Sequence, residues 1–189
     1  MALAMTHSEK PMLNWLPRKS DLSRTAAKIY GSIVASARQE TFFAAWGVPD
    51  TIEGRFEMLA LQVAVVMRRL GQAGPAGVDL SRAVAETFMT DLDDNMREIG
   101  IGDLAVPRKI KKAAAALYDR HRDYGAALAA GDGEALGRAI QTAVTGTGAE
   151  AALDHAALAR YTERLSGALA VTSDAECLGG ELPLPWPAD

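Results

Sequence analysis

The sequence is poor in the residues that build disulfides and metal sites. Its 189 residues include one cysteine, Cys177, which excludes an internal disulfide and a zinc site made of several cysteines. The three histidines, His7, His121 and His155, lie in separate segments and have no partner at the spacing of a zinc motif. We therefore predict no metal site and no bound cofactor. The single cysteine fits a reducing compartment.

Long apolar runs are also missing. A transmembrane helix needs about 18 or more consecutive apolar residues, whereas the best window, 58–66, contains Gln62 and is soon followed by Arg68 and Arg69. The first ten residues show neither the basic start and apolar stretch of a secretory signal nor the arginine-rich pattern of a mitochondrial transit peptide. We expect a soluble protein that works in the compartment in which it is made.

Apolar residues at helical spacing are present almost throughout, and β-branched runs of strand length are not. This pattern predicts an all-α fold, a single-domain bundle of about six or seven helices within residues 21–171. We expect residues 1–20 to form a partly flexible N-terminal segment. Residues 172–189 are predicted to form an irregular, proline-rich tail without a core of its own. The predicted helices cover about 22–37, 42–46, 51–70, 79–99, 107–130, 134–144 and 149–170.

Local signals predict helix boundaries and core positions. Asp50 followed by Glu53 has the pattern of a capping box at a helix start. The glycine-rich stretch 71–77 predicts a loop, after which Asp79 is expected to cap the next helix. A further set of apolar residues at helical spacing is predicted to lie in the core: Phe56, Leu59, Leu92, Met96 and Ile110.

Two alternatives involve bound ligands. Asp94 and Glu98 share one helix face, as do Asp119 and Asp123, and two such pairs facing a cavity would hold magnesium and a diphosphate, as in isoprenoid synthases. Nearby arginines make two solvated helix faces the simpler interpretation. A haem or quinone carrier is the other alternative, and it would need an axial ligand for haem. His121 and Met96 are the candidates, although neither has supporting spacing.

The net charge of −4 is small and acidic, whereas nucleic-acid-binding domains are usually clearly basic, so we do not expect DNA as a partner. One local cluster is basic nevertheless. A docking site for an anionic membrane or for ribosomal RNA is one interpretation of it, and an ordinary solvated face is the other. This basic cluster consists of Arg108, Lys109, Lys111 and Lys112.

Two segments of mixed residue types carry a resemblance to a known family. They are GVPDTIEGRFEML at 47–59 and FMTDLDDNMREIGIGDLAVPRKIKK at 88–112. Both resemble signatures of the ubiquinol–cytochrome c chaperone family, and the likeness extends over about residues 29–124. Long ungapped strings of this kind are much more specific than a four-residue pattern.

The resemblance implies an assembly factor and not an enzyme. Such a protein would hold newly made cytochrome b until haem and the partner subunits of the cytochrome bc complex are added. In mitochondria the family acts with a small partner protein near the ribosome exit. A chain without a transit peptide resembles a bacterial relative, which would act in the cytoplasm, peripherally at the inner membrane.

The expected client suggests which surface would bind it. Cytoplasmic loops of bacterial membrane proteins carry an excess of lysine and arginine, so an acidic surface is the natural counterpart. Such a surface would set orientation and encounter rate more than affinity. The basic cluster would then face lipid or the ribosome. We call the predicted client-facing residues the acidic patch: Asp91, Asp93, Asp94, Glu98 and Asp103.

Overall fold

A computed structural model describes residues 15–146 and 153–187, with side chains described from residue 21. The regular secondary structure of these residues is entirely helical, which confirms the all-α prediction. Most of the predicted N-terminal segment 1–20 lies outside the described residues. The helices are α1 Trp15–Ala37, α2 Glu40–Ala44, α3 Ile52–Gly71, α4 Gly74–Glu98, α5 Val106–Ala130, α6 Gly133–Thr145, α7 His155–Ala170 and α8 Asp174–Leu178.

Helix α3 is the centre of the bundle and packs against α1, α4, α5 and α7. Its apolar residues point in all directions around the axis, and a helix of this kind is stable only when other elements surround it. Met58, Leu61 and Val63 are at most 1% exposed. Gln62 is also completely buried, and its amide oxygen and nitrogen have no hydrogen-bond partner within the described part of the chain.

The start of α3 differs from the predicted capping box. Thr51 is the N-cap, and its hydroxyl accepts a hydrogen bond from the backbone N–H of Gly54 at 3.1 Å. Asp50 instead forms an ion pair with Arg55 at 2.6 Å. Asp50 and Thr51 are both good capping residues, and the pattern Asp50–Glu53 pointed to the wrong one of the two.

Close backbone contacts explain why two positions are occupied by glycine. A Cβ atom on Gly54 would lie 2.0 Å from the carbonyl oxygen of Pro49, and one on Gly77 would lie 2.1 Å from the carbonyl oxygen of Leu70. Gly77 belongs to α4, which begins at Gly74 and not near Asp79, and Leu70 belongs to α3. The predicted loop at 71–77 is therefore reduced to residues 72 and 73, because Gly71 ends α3, a proline suits the first turn of α4, and Gly77 permits tight packing on α3.

The segment after α7 is fastened to the centre of the bundle by Arg69. Its guanidinium donates hydrogen bonds to the carbonyl oxygens of Leu169 (3.0 Å) and Thr172 (2.6 Å) and forms an ion pair with Asp174 at 2.8 Å. The five-residue helix α8 was not predicted, and its Cys177 is completely buried. Residues 181–187 have no regular secondary structure, in line with the predicted tail.

A second polar contact joins α3 to α5. The carboxylate of Glu57 accepts two hydrogen bonds from the guanidinium of Arg120, at 2.8 and 3.0 Å. The Glu57 side chain is only 7% exposed, and burial raises its pKa despite the opposing effect of Arg120. The pair therefore fixes α5 against α3 at a cost in desolvation. Across the described ranges, no helix is both long enough and apolar enough to cross a membrane.

Candidate binding groove and charged surfaces

A groove of about 800 Å³ lies between α1, α2, α3 and α4. Its lining from α3 and α4 comes from the two segments that carry the family resemblance, 47–59 and 88–112. Helices α1 and α2 close the other side. The wall is predominantly apolar, and its larger side chains are those of Val34, Phe43, Ile52, Phe56, Leu59, Phe88, Leu92, Met96 and Ile99.

Four of the predicted core residues form part of this wall. All four are partly exposed. Phe56 and Leu59 nevertheless pack against the hydrophobic core, whereas Leu92 and Met96 are not part of it, so the core prediction is wrong for these two. The rings of Phe56 and Phe88 stack with their centroids 5.6 Å apart and give the wall a rigid aromatic part. Helical spacing identifies an apolar face but does not reveal whether another helix covers it.

The remaining predicted core residue lies elsewhere. Ile110 is on α5, outside the groove, and it too is partly exposed. The wall residues that sequence reasoning missed include Val34, Phe43 and Ile52. They come from three different helices, and no local pattern relates them to α4.

The groove has a polar rim that carries three carboxylates and two guanidinium groups. Asp91 accepts a hydrogen bond from the hydroxyl of Tyr30 at 2.8 Å. Burial raises the pKa of Tyr30, and the hydrogen bond to Asp91 raises it further, so the tyrosine remains a neutral donor. Asp50 is neutralised by Arg55. The rim is completed by Arg38 and Glu40.

The structure divides the predicted acidic patch. Asp91 is the one member in the groove lining, beside Asn95. Asp93 and Asp103 both form ion pairs with Arg97, each at 2.6 Å, so their charges are partly compensated. The other two members, both on α4, are exposed and lie outside the groove. Whether this patch binds a client stays a prediction.

The acid pairs of the proposed diphosphate enzyme do not converge. Asp94, Glu98, Asp119 and Asp123 are all exposed, and none lines the groove. Arg122 forms ion pairs with Asp119 at 2.9 Å and with Asp123 at 2.8 Å. Within residues 15–146 and 153–187, no group of three histidine, cysteine or acidic side chains has an arrangement that could hold a metal ion. The geometry of such an enzyme is not formed by these residues.

The candidate haem ligands do not share a site. Met96 lines the groove, whereas His121 lies on α5, where its Nδ1 atom is 3.1 Å from the carbonyl oxygen of Ala64. No histidine is among the groove-lining residues of the described chain. The groove therefore offers a thioether but no imidazole as an axial ligand.

The basic cluster occupies the first turns of α5. Its four side chains are exposed, and none has an ion-pair partner within the part of the chain that the structure describes. The loop before α5 contains Leu104, which is 99% exposed, and follows Ile99, which is 56% exposed. Exposed apolar and cationic side chains therefore follow one another within the single stretch 99–112.

Comparisons with known proteins agree on one family. The family model described as ubiquinol–cytochrome C chaperone matches residues 44–184, which include most of the groove. The crystal structure of the Cbp3 homolog from Brucella abortus is similar over 92% of this chain and 96% of that chain, with 35% sequence identity and a TM-score of 0.80. A search of curated proteins gave no significant match. This chain belongs to the ubiquinol–cytochrome c chaperone family.

Proposed function

We propose that this protein is an assembly chaperone of the cytochrome bc complex that binds newly made cytochrome b in the groove between α1 and α4. The observation that carries the proposal is the partly exposed apolar wall, because it is built from both segments of the family resemblance. Family membership implies a role other than catalysis. The expected site of action is the cytoplasmic face of a bacterial inner membrane, with a small partner protein and the ribosome as further contacts.

The groove suits one part of such a client. Its volume of about 800 Å³ is in the range of ligand pockets, so it would take a few side chains and not a whole transmembrane helix. An amphipathic or apolar helix end, presented at spacings of three and four residues, matches a groove of this type. Phe56, Leu92 and Met96 would contact its apolar side chains, and the methionine can adapt to different shapes.

The charged rim fits the flank of the same client segment. Basic residues follow the cytoplasmic ends of bacterial transmembrane helices. Asp91 and Glu40 lie on the rim and would meet such residues beside the apolar contact. Asp94 and Glu98 are exposed outside the groove and would act at longer range, so that they raise the encounter rate more than the affinity.

Co-purification tests the client directly. The tagged protein is isolated from crosslinked, detergent-solubilised membranes of its own source, and the bound proteins are identified. We expect cytochrome b among them. If cytochrome b is absent after crosslinking, the proposed client is wrong.

Binding to a peptide tests the groove separately. The probe carries an apolar segment of cytochrome b with its basic flank. The Leu92→Gln/Met96→Gln variant should bind it at least about tenfold more weakly, because well-buried contacts contribute more than about 1 kcal/mol each. Val78→Gln is the matched control, since Val78 is 45% exposed on the same helix but outside the groove. If both variants lose the same affinity for the peptide, or if neither loses any, the assignment of the groove is wrong, although cytochrome b could still be the client.

A further inference from the structure

The loop between α4 and α5 exposes an apolar side chain that the fold does not use. Leu104 is 99% exposed and contacts almost nothing, and Ile99 at the start of the loop is 56% exposed. A single exposed leucine is common in folded proteins. Here, however, four exposed cations begin four residues after the leucine, and that combination is characteristic of surfaces that meet a membrane interface.

The local charge is strongly positive. Residues 99–112 contain the four cations of the basic cluster and a single acidic residue, Asp103, which is already paired with Arg97. Cations in the first turns of a helix also oppose its dipole, so they do not stabilise α5 itself. Ion pairing within the described chain does not account for them either. An external anionic surface would supply the missing counter-charge.

The exposed apolar residues distinguish between two anionic surfaces. A nucleic-acid backbone would attract the cations, but it would leave Leu104 in water. A bilayer offers phosphate headgroups to the cations and acyl chains to the leucine at the same time. We propose that the α4–α5 loop and the first turns of α5 form a membrane-docking surface. Leu104 enters the headgroup boundary, and Arg108, Lys109, Lys111 and Lys112 bind anionic lipid phosphates.

This surface adjoins the groove through one residue. Ile99 lines the groove and also begins the exposed loop. Docking of the loop would therefore bring one end of the groove to the bilayer surface, where a membrane protein client emerges. This consequence depends on the proposed client function, whereas membrane docking itself does not.

Vesicle flotation tests the docking surface without any client. The full chain is mixed with phosphatidylglycerol-containing vesicles, with pure phosphatidylcholine vesicles, and separately with an RNA oligonucleotide. We expect flotation with the anionic vesicles only. Lys109→Gln/Lys112→Gln should reduce vesicle partitioning roughly 25-fold, because each basic residue near an anionic surface contributes about 1 kcal/mol. Leu104→Gln should reduce vesicle partitioning about tenfold, since the docked protein no longer buries a leucine side chain in the bilayer.

Two control variants test whether the loss of any exposed charge or apolar side chain would reduce flotation. Arg160→Gln/Arg164→Gln removes two exposed charges from α7, and Val171→Gln replaces an apolar residue that is 87% exposed after the same helix. We expect neither control to change flotation by more than about twofold. Absence of flotation with anionic vesicles would overturn the proposal. Unchanged flotation of the Leu104→Gln variant would also overturn it. If the protein binds the RNA oligonucleotide and only the lysine variant loses that binding, the basic cluster is a nucleic-acid site instead.

Discussion

Replacing Arg120 by methionine should destabilise the bundle in a way that depends on pH. The substitution keeps much of the side-chain length but leaves the carboxylate of Glu57 without its two hydrogen bonds at 2.8 and 3.0 Å. Glu57 is only 7% exposed, so water cannot replace the guanidinium. The stranded carboxylate will instead take up a proton in the folded state.

Protonation sets an upper limit to the free-energy cost of leaving the Glu57 carboxylate without its partner. In the unfolded chain Glu57 has its ordinary pKa of 4.5, and each pH unit above that value adds about 1.4 kcal/mol to the free energy of protonating it. The limit is thus about 3 kcal/mol near pH 7 and about 1 kcal/mol near pH 5.5. Since the folded variant binds a proton that the unfolded chain has released, its stability must fall as the pH rises.

Replacing the other member of the pair, Glu57, gives a variant whose stability should depend on pH in a different way. Glu57→Gln leaves Arg120 charged, because an arginine side chain stays protonated in proteins even without an acidic partner. The arginine has no proton to exchange between about pH 5.5 and 7. Because the raised pKa of Glu57 makes the wild type itself less stable as the pH rises, the cost of Glu57→Gln relative to the wild type should not rise with pH, in contrast to the cost of Arg120→Met. Urea unfolding followed by circular dichroism at both pH values measures the two costs. Equal costs for Arg120→Met at both values would refute the buried-pair reasoning.

Three further outcomes follow from local geometry. Gly54→Ala should lower the free energy of unfolding by roughly 3 kcal/mol or more, because its Cβ would lie 2.0 Å from the carbonyl oxygen of Pro49. The control Gly31→Ala, where no atom lies within 4 Å, should raise it by about 0.5–1 kcal/mol; similar urea midpoints for the two would contradict the contact. Gln62→Leu should stabilise by about 1–2 kcal/mol, since the buried amide has no partner among the described residues. A lower melting temperature for Gln62→Leu would indicate that the amide is satisfied. Cys177 is buried, which raises the pKa of its thiol, so a thiol reagent should modify it only as fast as the protein unfolds. Immediate modification of the native protein would show that α8 is not packed as described.

Most helices could be predicted from their apolar spacing, and the failures have identifiable physical causes. Periodicity detected α3 and its stripe at Phe56 and Leu59, but it carries no information about which neighbour covers that stripe. In the folded chain α1 and α2 do not cover this stripe completely, so it forms part of the wall of a groove. The family resemblance had already singled out both segments, although not the cavity between them.

The other failures involve contacts between distant residues. A glycine-rich stretch is ordinarily a loop, and only the tight approach of Gly77 to Leu70 shows why it is helical here. Helix α8 has five residues, too few to display a period. Whether the acidic patch binds a client stays a prediction, but its members do not form one surface, because helical geometry turns Asp91 toward Tyr30 and Asp93 toward Arg97.

The contacts of Arg69 have a consequence for the timing of folding. Its guanidinium, near the end of α3, is solvated by two carbonyl oxygens and a carboxylate from residues 169–174. Until those residues have been synthesised, burial of α3 would strand a charge, and the central helix cannot settle into its final surroundings. The bundle should therefore complete its folding only after residues 169–174 have emerged from the ribosome.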